Sequence, residues 1–179
     1  TPGRALVSSV EVVEATRSVI YAAGEPVSAD RPYRARYYPP GELVSLSATG
    51  APREYTVLSY LFVPDATLLR ATSAEYPPEV AARYLQLPED LDPRLATFLQ
   101  EAAPAALSPY DRAIAIETAL RRLEYTLNVP VPPAGRELVS WFLFDLQRGY
   151  CDYFASAMVV LARMSGIPAR LAVGYATGS

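Results

Sequence analysis

The 179-residue chain has no histidine, no lysine and one cysteine, Cys151. Without histidine, these residues hold no His-ligated zinc site, no imidazole general base and no complete Ser-His-Asp or Cys-His-Asp triad. One cysteine excludes an internal disulfide and a cysteine-rich metal site. Long apolar runs are also missing: the longest, residues 157–162, has six residues, too few to cross a bilayer. Positive charge is scarce as well. The formal net charge is −3, the pI is about 5.1, and the arginines form no stripe, which disfavours a nucleic-acid binder.

Against these absences, 51% of the residues are apolar and 20% charged, the balance of a folded chain rather than a disordered one. A chain of this length can bury about 70% of its unfolded surface, so it folds without a disulfide or a metal. It is long enough for one domain, or one domain with a small module. It begins Thr1-Pro2 without an initiator methionine and stops just after a strand-like segment. These ends read as those of a piece of a larger protein, a truncated domain.

Two styles of patterning divide the chain, and the expected class is α+β. Residues 1–65 read as a small N-terminal β-rich module. Strands are expected over 6–13, 17–22, 33–38, 43–47 and 54–62, with clear alternation in Tyr33-Arg34-Ala35-Arg36-Tyr37 and Tyr55-Thr56-Val57-Leu58-Ser59-Tyr60. Ala23-Gly24-Glu25-Pro26, Pro39-Pro40-Gly41 and Thr49-Gly50-Ala51-Pro52 read as the turns between them. Strand spacing of about ten residues suggests a small sandwich or partial barrel.

Residues 66–179 are helical in style. Pro77-Pro78 opens a short helix to about Tyr84. Asp92-Pro93 pairs an N-cap with a first-turn proline ahead of Leu95, Phe98, Leu99 and Ala102 on one face. Ser108-Pro109-Tyr110-Asp111 repeats that opening for a helix to about Leu123, striped by Ile116, Leu120 and Leu123. A three-proline loop over 128–135 precedes a short helix over 136–146 that carries Trp141, Phe142 and Phe144. From Cys151 to Ser165 the pattern is apolar nearly all round, which predicts a buried helix. Gly166 fits its C-cap, Pro168 stops it, and residues 169–176 read as a strand.

Cys151 thus stands at the start of that helix. A helix N-terminus favours the thiolate, the reactive form of cysteine, through unpaired N–H groups and the macrodipole. Gly149 allows a tight turn just ahead, and backbone donors there could hold an oxyanion. The plainer alternative is a small buried hydrophobe, because free cysteine is among the most buried residue types.

The string Gly149-Tyr150-Cys151-Asp152-Tyr153-Phe154-Ala155-Ser156-Ala157, followed by Arg163-Met164-Ser165-Gly166-Ile167-Pro168-Ala169-Arg170 and Gly174-Tyr175, resembles the transglutaminase-like superfamily. Upstream, Trp141-Phe142-Leu143-Phe144, Tyr125-Thr126-Leu127 and Tyr110-Asp111-Arg112-Ala113 extend the likeness. Tyr84-Leu85-Gln86-Leu87-Pro88 resembles the bacterial membrane-anchored, TgpA-like subgroup. The resemblance implies a papain-like core with Cys151 as catalytic nucleophile, attacking a carboxamide or peptide carbonyl to give a thioester that water or an amine resolves. The family's histidine and aspartate lie on strands after the Gly-Tyr segment, and neither is in this chain. Neither cofactor nor metal is implied. The implied partner is a protein or peptide substrate carrying amide groups, at the extracytoplasmic face of a bacterial membrane, with any anchor outside these residues.

Other candidates have plain structural readings beside the functional ones. Asp145 and Asp152 flank the cysteine but read as helix-terminus charges rather than a carboxylate pair. Gln147 is a candidate oxyanion donor. Arg170 reads as a fold anchor, and Trp141 as core with an alternative role as a cleft wall. The thirteen tyrosines are dispersed and define no carbohydrate surface. Two functions follow: a fragment of a cysteine-nucleophile acyltransferase or amidase, inactive by itself, or a non-catalytic binding or scaffolding module of the cell envelope. The edge of the unpaired strand over 169–176 is expected to be exposed, covered by this chain's own loops or paired with a neighbouring copy.

Overall fold

The computed structural model describes residues 3–13, 18–39, 41–104 and 107–174. The architecture is α+β, and the chain divides after Asp65 into a β unit and a helical unit, Ala66–Val173.

The β unit contains two three-stranded antiparallel sheets. One has the order β1 (Gly3–Glu11), β6 (Glu54–Phe62), β3 (Glu25–Ala29). The other has the order β2 (Val19–Ile20), β5 (Glu42–Ala48), β4 (Tyr33–Tyr38). The alternation of β6 decides its faces: Tyr55, Val57 and Ser59 are buried, while Thr56 and Leu58 between them are half-buried. Tyr55 and Val57 meet Ile20, Leu46 and Ala48 of the other sheet in one apolar cluster, which makes the unit a small sandwich. The Tyr55 hydroxyl, buried with its ring, accepts a hydrogen bond from the Tyr21 backbone N–H at 2.8 Å.

Strand β3 occupies a segment whose first residues read as a turn. It pairs with β6 at the sheet edge, and the register shifts between Pro26 and Ser28. A proline cannot donate to a ladder, so it is tolerated on an edge strand beside a bulge. The expected strand over 17–22 contracts to Val19–Ile20. Arg17 lies outside the described residues.

In the helical unit, α1 (Ala66–Arg70) and α2 (Pro78–Tyr84) precede α3 (Arg94–Ala102) and α4 (Pro109–Leu120). Asp92 Oδ1 accepts from the Arg94 N–H at 2.9 Å, and Ser108 Oγ accepts from the Asp111 N–H at 3.1 Å, so both predicted N-termini are capped by side chains. Leu95, Ile116 and Leu120 point into a core shared with Val139, Trp141, Phe142, Leu143, Tyr153, Ala157 and Leu161. Burying each large side chain contributes roughly 1.5–3 kcal/mol.

The single helix expected over 136–146 is instead α5 (Leu138–Ser140) running into a π-helix, Trp141–Leu146. Glu137 caps α5, accepting from the N–H groups of Val139 and Ser140 at 2.8 and 2.7 Å. Residues 139–143 are buried in succession, so no apolar period distinguishes i→i+5 from i→i+4 bonding in the sequence.

Helix α6 (Cys151–Met164) is less enclosed than its composition suggests. Its buried residues are Tyr153, Ala157, Leu161 and Ala162, with Met158, Val159 and Val160 half-buried. It packs against α3, α4 and α5, which covers one side more than the others. The start of the helix, expected to be buried, is exposed at Cys151 and Asp152.

Gly166 ends α6 with φ of +78°. Its N–H bonds to Arg163 O, and that of Ile167 to Ala162 O, the paired bonds of a Schellman cap. The strand expected over 169–176 does not form over 169–174, because no described segment offers it a ladder; residues 175 and 176 lie outside the described set. Side-chain bonds hold the start of the segment instead. Arg163 donates to Ala169 O and Gln86 O, each at 2.8 Å, and the Ala169 N–H bonds to Tyr84 O at 3.1 Å. Arg112 ties the end of α6 by donating to Ser165 O at 2.6 Å. Arg163 and Arg112 thereby anchor the end of α6 and the segment after it, and Arg170 is exposed.

Candidate functional site

The approach to Cys151 is set by a strained residue and a short parallel ladder. After the π-helix, Gln147 adopts φ 55°, ψ 21°, and its N–H bonds to Phe142 O at 2.8 Å. Gln147 is the one non-glycine residue with positive φ among the described residues. Such a conformation costs a side-chain-bearing residue about 1–3 kcal/mol and persists where the surroundings over-determine it. Here they do. Gln147 O accepts from the Glu124 N–H at 3.3 Å, and Gly149 O accepts from the Thr126 N–H at 2.7 Å. These bonds build a parallel pair, β7 (Glu124–Tyr125) with β8 (Arg148–Gly149), that places Tyr125 opposite Gly149.

Gly149 is required for space rather than for the tight turn expected of it. Its φ is not in the left-handed region, but a Cβ there would stand 3.0 Å from the side chain of Tyr153. The turn falls two residues earlier, at Gln147.

Tyr150 then forms the N-cap of α6 in an extended conformation, with φ −120° and ψ −174°, and gives no side-chain cap. Its carbonyl accepts from the N–H groups of Tyr153 and Phe154 at 3.0 and 3.3 Å. Cys151 is the first helical residue and is exposed, so the buried-hydrophobe reading does not describe it. Its Sγ lies 3.5 Å from Asp152 Oδ1, a distance at which the thiol donates to the carboxylate. The helix start attracts negative charge while Asp152 opposes it, so the local field on the sulfur has two opposed parts.

An aromatic bed lies under the helix start. Tyr153 contacts Tyr150, Phe142 and Trp141 with ring centroids 4.9, 5.7 and 6.1 Å away. Phe154 meets Phe142 at 5.0 Å and Tyr125 at 6.0 Å. Burial, and then the neighbouring Tyr150, push the Tyr153 phenol above its ordinary range. Trp141 is only 7% exposed and belongs to the core, not to a cleft wall.

The flanking carboxylates have separate partners. Asp145 pairs with Arg136, and Asp152 takes the thiol of Cys151. Among the described residues no cluster of three His, Cys, Asp or Glu side chains could hold a metal ion. In the sequence, Cys151 reads as the nucleophile and Gln147 as a candidate oxyanion donor, Asp152 reads as a helix-terminus charge, and Tyr125 has no site role beyond its place in the family-like string. Only the β7–β8 pairing, too short for any periodic signal, brings Tyr125 beside the cysteine segment.

Residues 96–179 match the Transglutaminase-like superfamily. The chain is 39% identical over 113 residues to the uncharacterized protein YebA of Bacillus subtilis, covering 62% of this chain and 15% of that protein. It is 33% identical over 110 residues to a protein-glutamine gamma-glutamyltransferase of Pseudomonas aeruginosa, covering 62% of this chain and 16% of that one. The chain therefore spans about one sixth of the length of these curated relatives. Among solved structures, the periplasmic domain of TgpA from Pseudomonas aeruginosa aligns with a TM-score of 0.63 at 23% identity, covering 94% of this chain and 55% of that domain. The same domain bound to ethylmercury aligns with the same score, covering 56% of that chain. By these matches residues 96–179 are similar to the transglutaminase-like superfamily, and the chain has a fold like that of the periplasmic domain of TgpA.

Proposed function

We propose that Cys151 is the nucleophile of an acyl-transfer site acting on the carboxamide of a protein or peptide substrate. The observation that carries this reading is an exposed, sole cysteine at the first residue of a helix inside the family-matched segment. The thiolate attacks the carboxamide carbon, a C–S bond forms, and the π pair moves to oxygen. Collapse of that intermediate re-forms C=O and breaks the C–N bond, releasing ammonia after proton transfer to nitrogen. An amine or water then attacks the thioester and returns the thiol. Backbone N–H groups at the start of α6 favour the negative charge that the sulfur and oxygen carry.

The proton carrier is the part these residues do not contain. With no histidine in the sequence, the base and its carboxylate partner come from elsewhere in the parent protein, as the family resemblance implies. The 179 residues alone are then inert in turnover. The related gamma-glutamyltransferase supports glutamine carboxamides as the substrate class, and the periplasmic neighbour supports an extracytoplasmic location. Among the described residues no helix is long and apolar enough to cross a membrane, so an anchor would belong to other segments of the parent. In the same proposal residues 1–65 are a β module and residues 66–179 the core, and residues 169–176 pair with a neighbouring copy. Sedimentation should then show a concentration-dependent dimer, and a monomer at every concentration would remove that pairing.

The absence of histidine favours one second reading, a binding module of the cell envelope without turnover. The deciding experiment measures ammonia release and amine incorporation on a glutamine-containing peptide. It compares this chain, a longer chain reaching the next histidine and aspartate of the parent, and the Cys151→Ala variant of the longer chain. Activity confined to the longer chain with Cys151 intact is expected. Activity in the 179-residue chain, or activity that survives Cys151→Ala, would overturn the proposal.

A further inference from the structure

We infer that Tyr125, backed by Phe154 and extended by Leu127, forms an apolar subsite for the residue flanking the reacting carboxamide. This inference rests on the reading of Cys151 as nucleophile. Phe154 follows Cys151 by three positions on α6, which places the two on the same helix face about one turn apart. The Tyr125 ring stacks on Phe154 at 6.0 Å and a 30° interplanar angle, and the β7–β8 ladder holds the Tyr125 backbone opposite Gly149. The ring therefore stacks on the residue one helical turn past Cys151, and its backbone pairs with the residue two positions before Cys151.

Despite that support, Tyr125 is 62% exposed, Leu127 is 77% exposed, and Val131 further along the loop is 87% exposed. Phe154, by contrast, is half-buried beneath Tyr125. A large apolar surface held rigidly beside a nucleophile and facing solvent is what a substrate side chain covers on binding. The occupant fitting this surface is an aromatic or large aliphatic side chain next to the reacting glutamine. An acidic neighbour would leave the ring without apolar cover and would meet Asp152 at the helix start, a like charge. The substrate class thereby narrows to peptides with an apolar residue beside the glutamine.

The test needs no histidine, because it reads alkylation rather than turnover. Three reagents are compared on the 179-residue chain: iodoacetamide, an N-acylglycyl chloromethyl ketone and an N-acylphenylalanyl chloromethyl ketone. In each ketone reaction the thiolate displaces chloride and a C–S bond forms. The phenylalanyl ketone should label Cys151 faster than the glycyl one by roughly three- to ten-fold, the worth of one aromatic contact. With each ketone rate divided by the same variant's iodoacetamide rate, Tyr125→Ala should bring that ratio close to one, and Tyr125→Phe should retain it. Leu127→Ser, at an exposed position that folding tolerates, should lower the ratio part way and covers the case in which Tyr125→Ala does not fold. A ratio near one in the parent chain, or a ratio unaffected by both Tyr125→Ala and Leu127→Ser, overturns the subsite. Failure of iodoacetamide to label the native chain would instead sink the reading of Cys151 beneath it.

Discussion

At Gln147 the backbone takes a conformation that glycine adopts freely and glutamine does not, four residues ahead of the cysteine. Substituting Gln147→Gly should relieve that strain and raise stability by up to about 1 kcal/mol, measured by urea denaturation. If the side chain itself holds an oxyanion in the longer protein, acyl transfer should fall even as stability rises, and unchanged turnover would assign Gln147 a purely conformational part. Gly149→Ala should act in the opposite direction. Its Cβ would press on Tyr153 at 3.0 Å, an overpacking that costs about 1–3 kcal/mol and shifts the ladder leading to Cys151. Cys151→Ala, at an exposed position, should change stability by less than about 0.5 kcal/mol while abolishing thiol labelling.

Among the elements, α4 shows how one N-terminus serves both capping and charge. Ser108 accepts from the Asp111 N–H and also donates its hydroxyl hydrogen to Asp111 Oδ2 at 2.8 Å, while Arg70 donates to Oδ1 at 2.8 Å. The Ser108 hydroxyl first and Arg70 second hold the Asp111 carboxyl below the usual carboxylate range. Its folded-state pKa is thus lower than its unfolded one. The stabilisation is present above the unfolded value and is lost as pH falls through the folded one. Asp111→Asn should therefore flatten the fall in Tm below about pH 4, and an acid limb unchanged by the substitution would contradict that assignment. Ser108→Ala should cost about 1 kcal/mol at neutral pH through the lost cap.

For the molecule as a whole, the division after Asp65 joins a sandwich built on β6 to a helical unit built around α6. The helical core converges on Ile116, Phe142 and Leu161, each fully buried. Ile116→Ala should destabilise by about 2–5 kcal/mol in calorimetry, because a void among packed helices cannot fully collapse. If the two units unfold independently, that loss should appear in one of two transitions and leave the other in place.

Much of this protein is written locally. The strand β6 follows from the alternation around Tyr55 and Val57, the starts of α3 and α4 from Asp92 and Ser108 ahead of proline-bearing first turns, and the end of α6 from Gly166. Each depends on neighbours within about five residues, so each is legible without the fold. The cysteine at the helix start is local in the same sense. What depends on distant partners is not. Edge strand β3 exists because β6 supplies its ladder despite Pro26, and the segment over 169–174 is not a strand because no described partner does. The left-handed Gln147 and the placing of Tyr125 over Phe154 both depend on residues 124–126 meeting 147–149. A two-residue ladder has no periodicity to read, and only the packed tertiary structure decides that those residues meet.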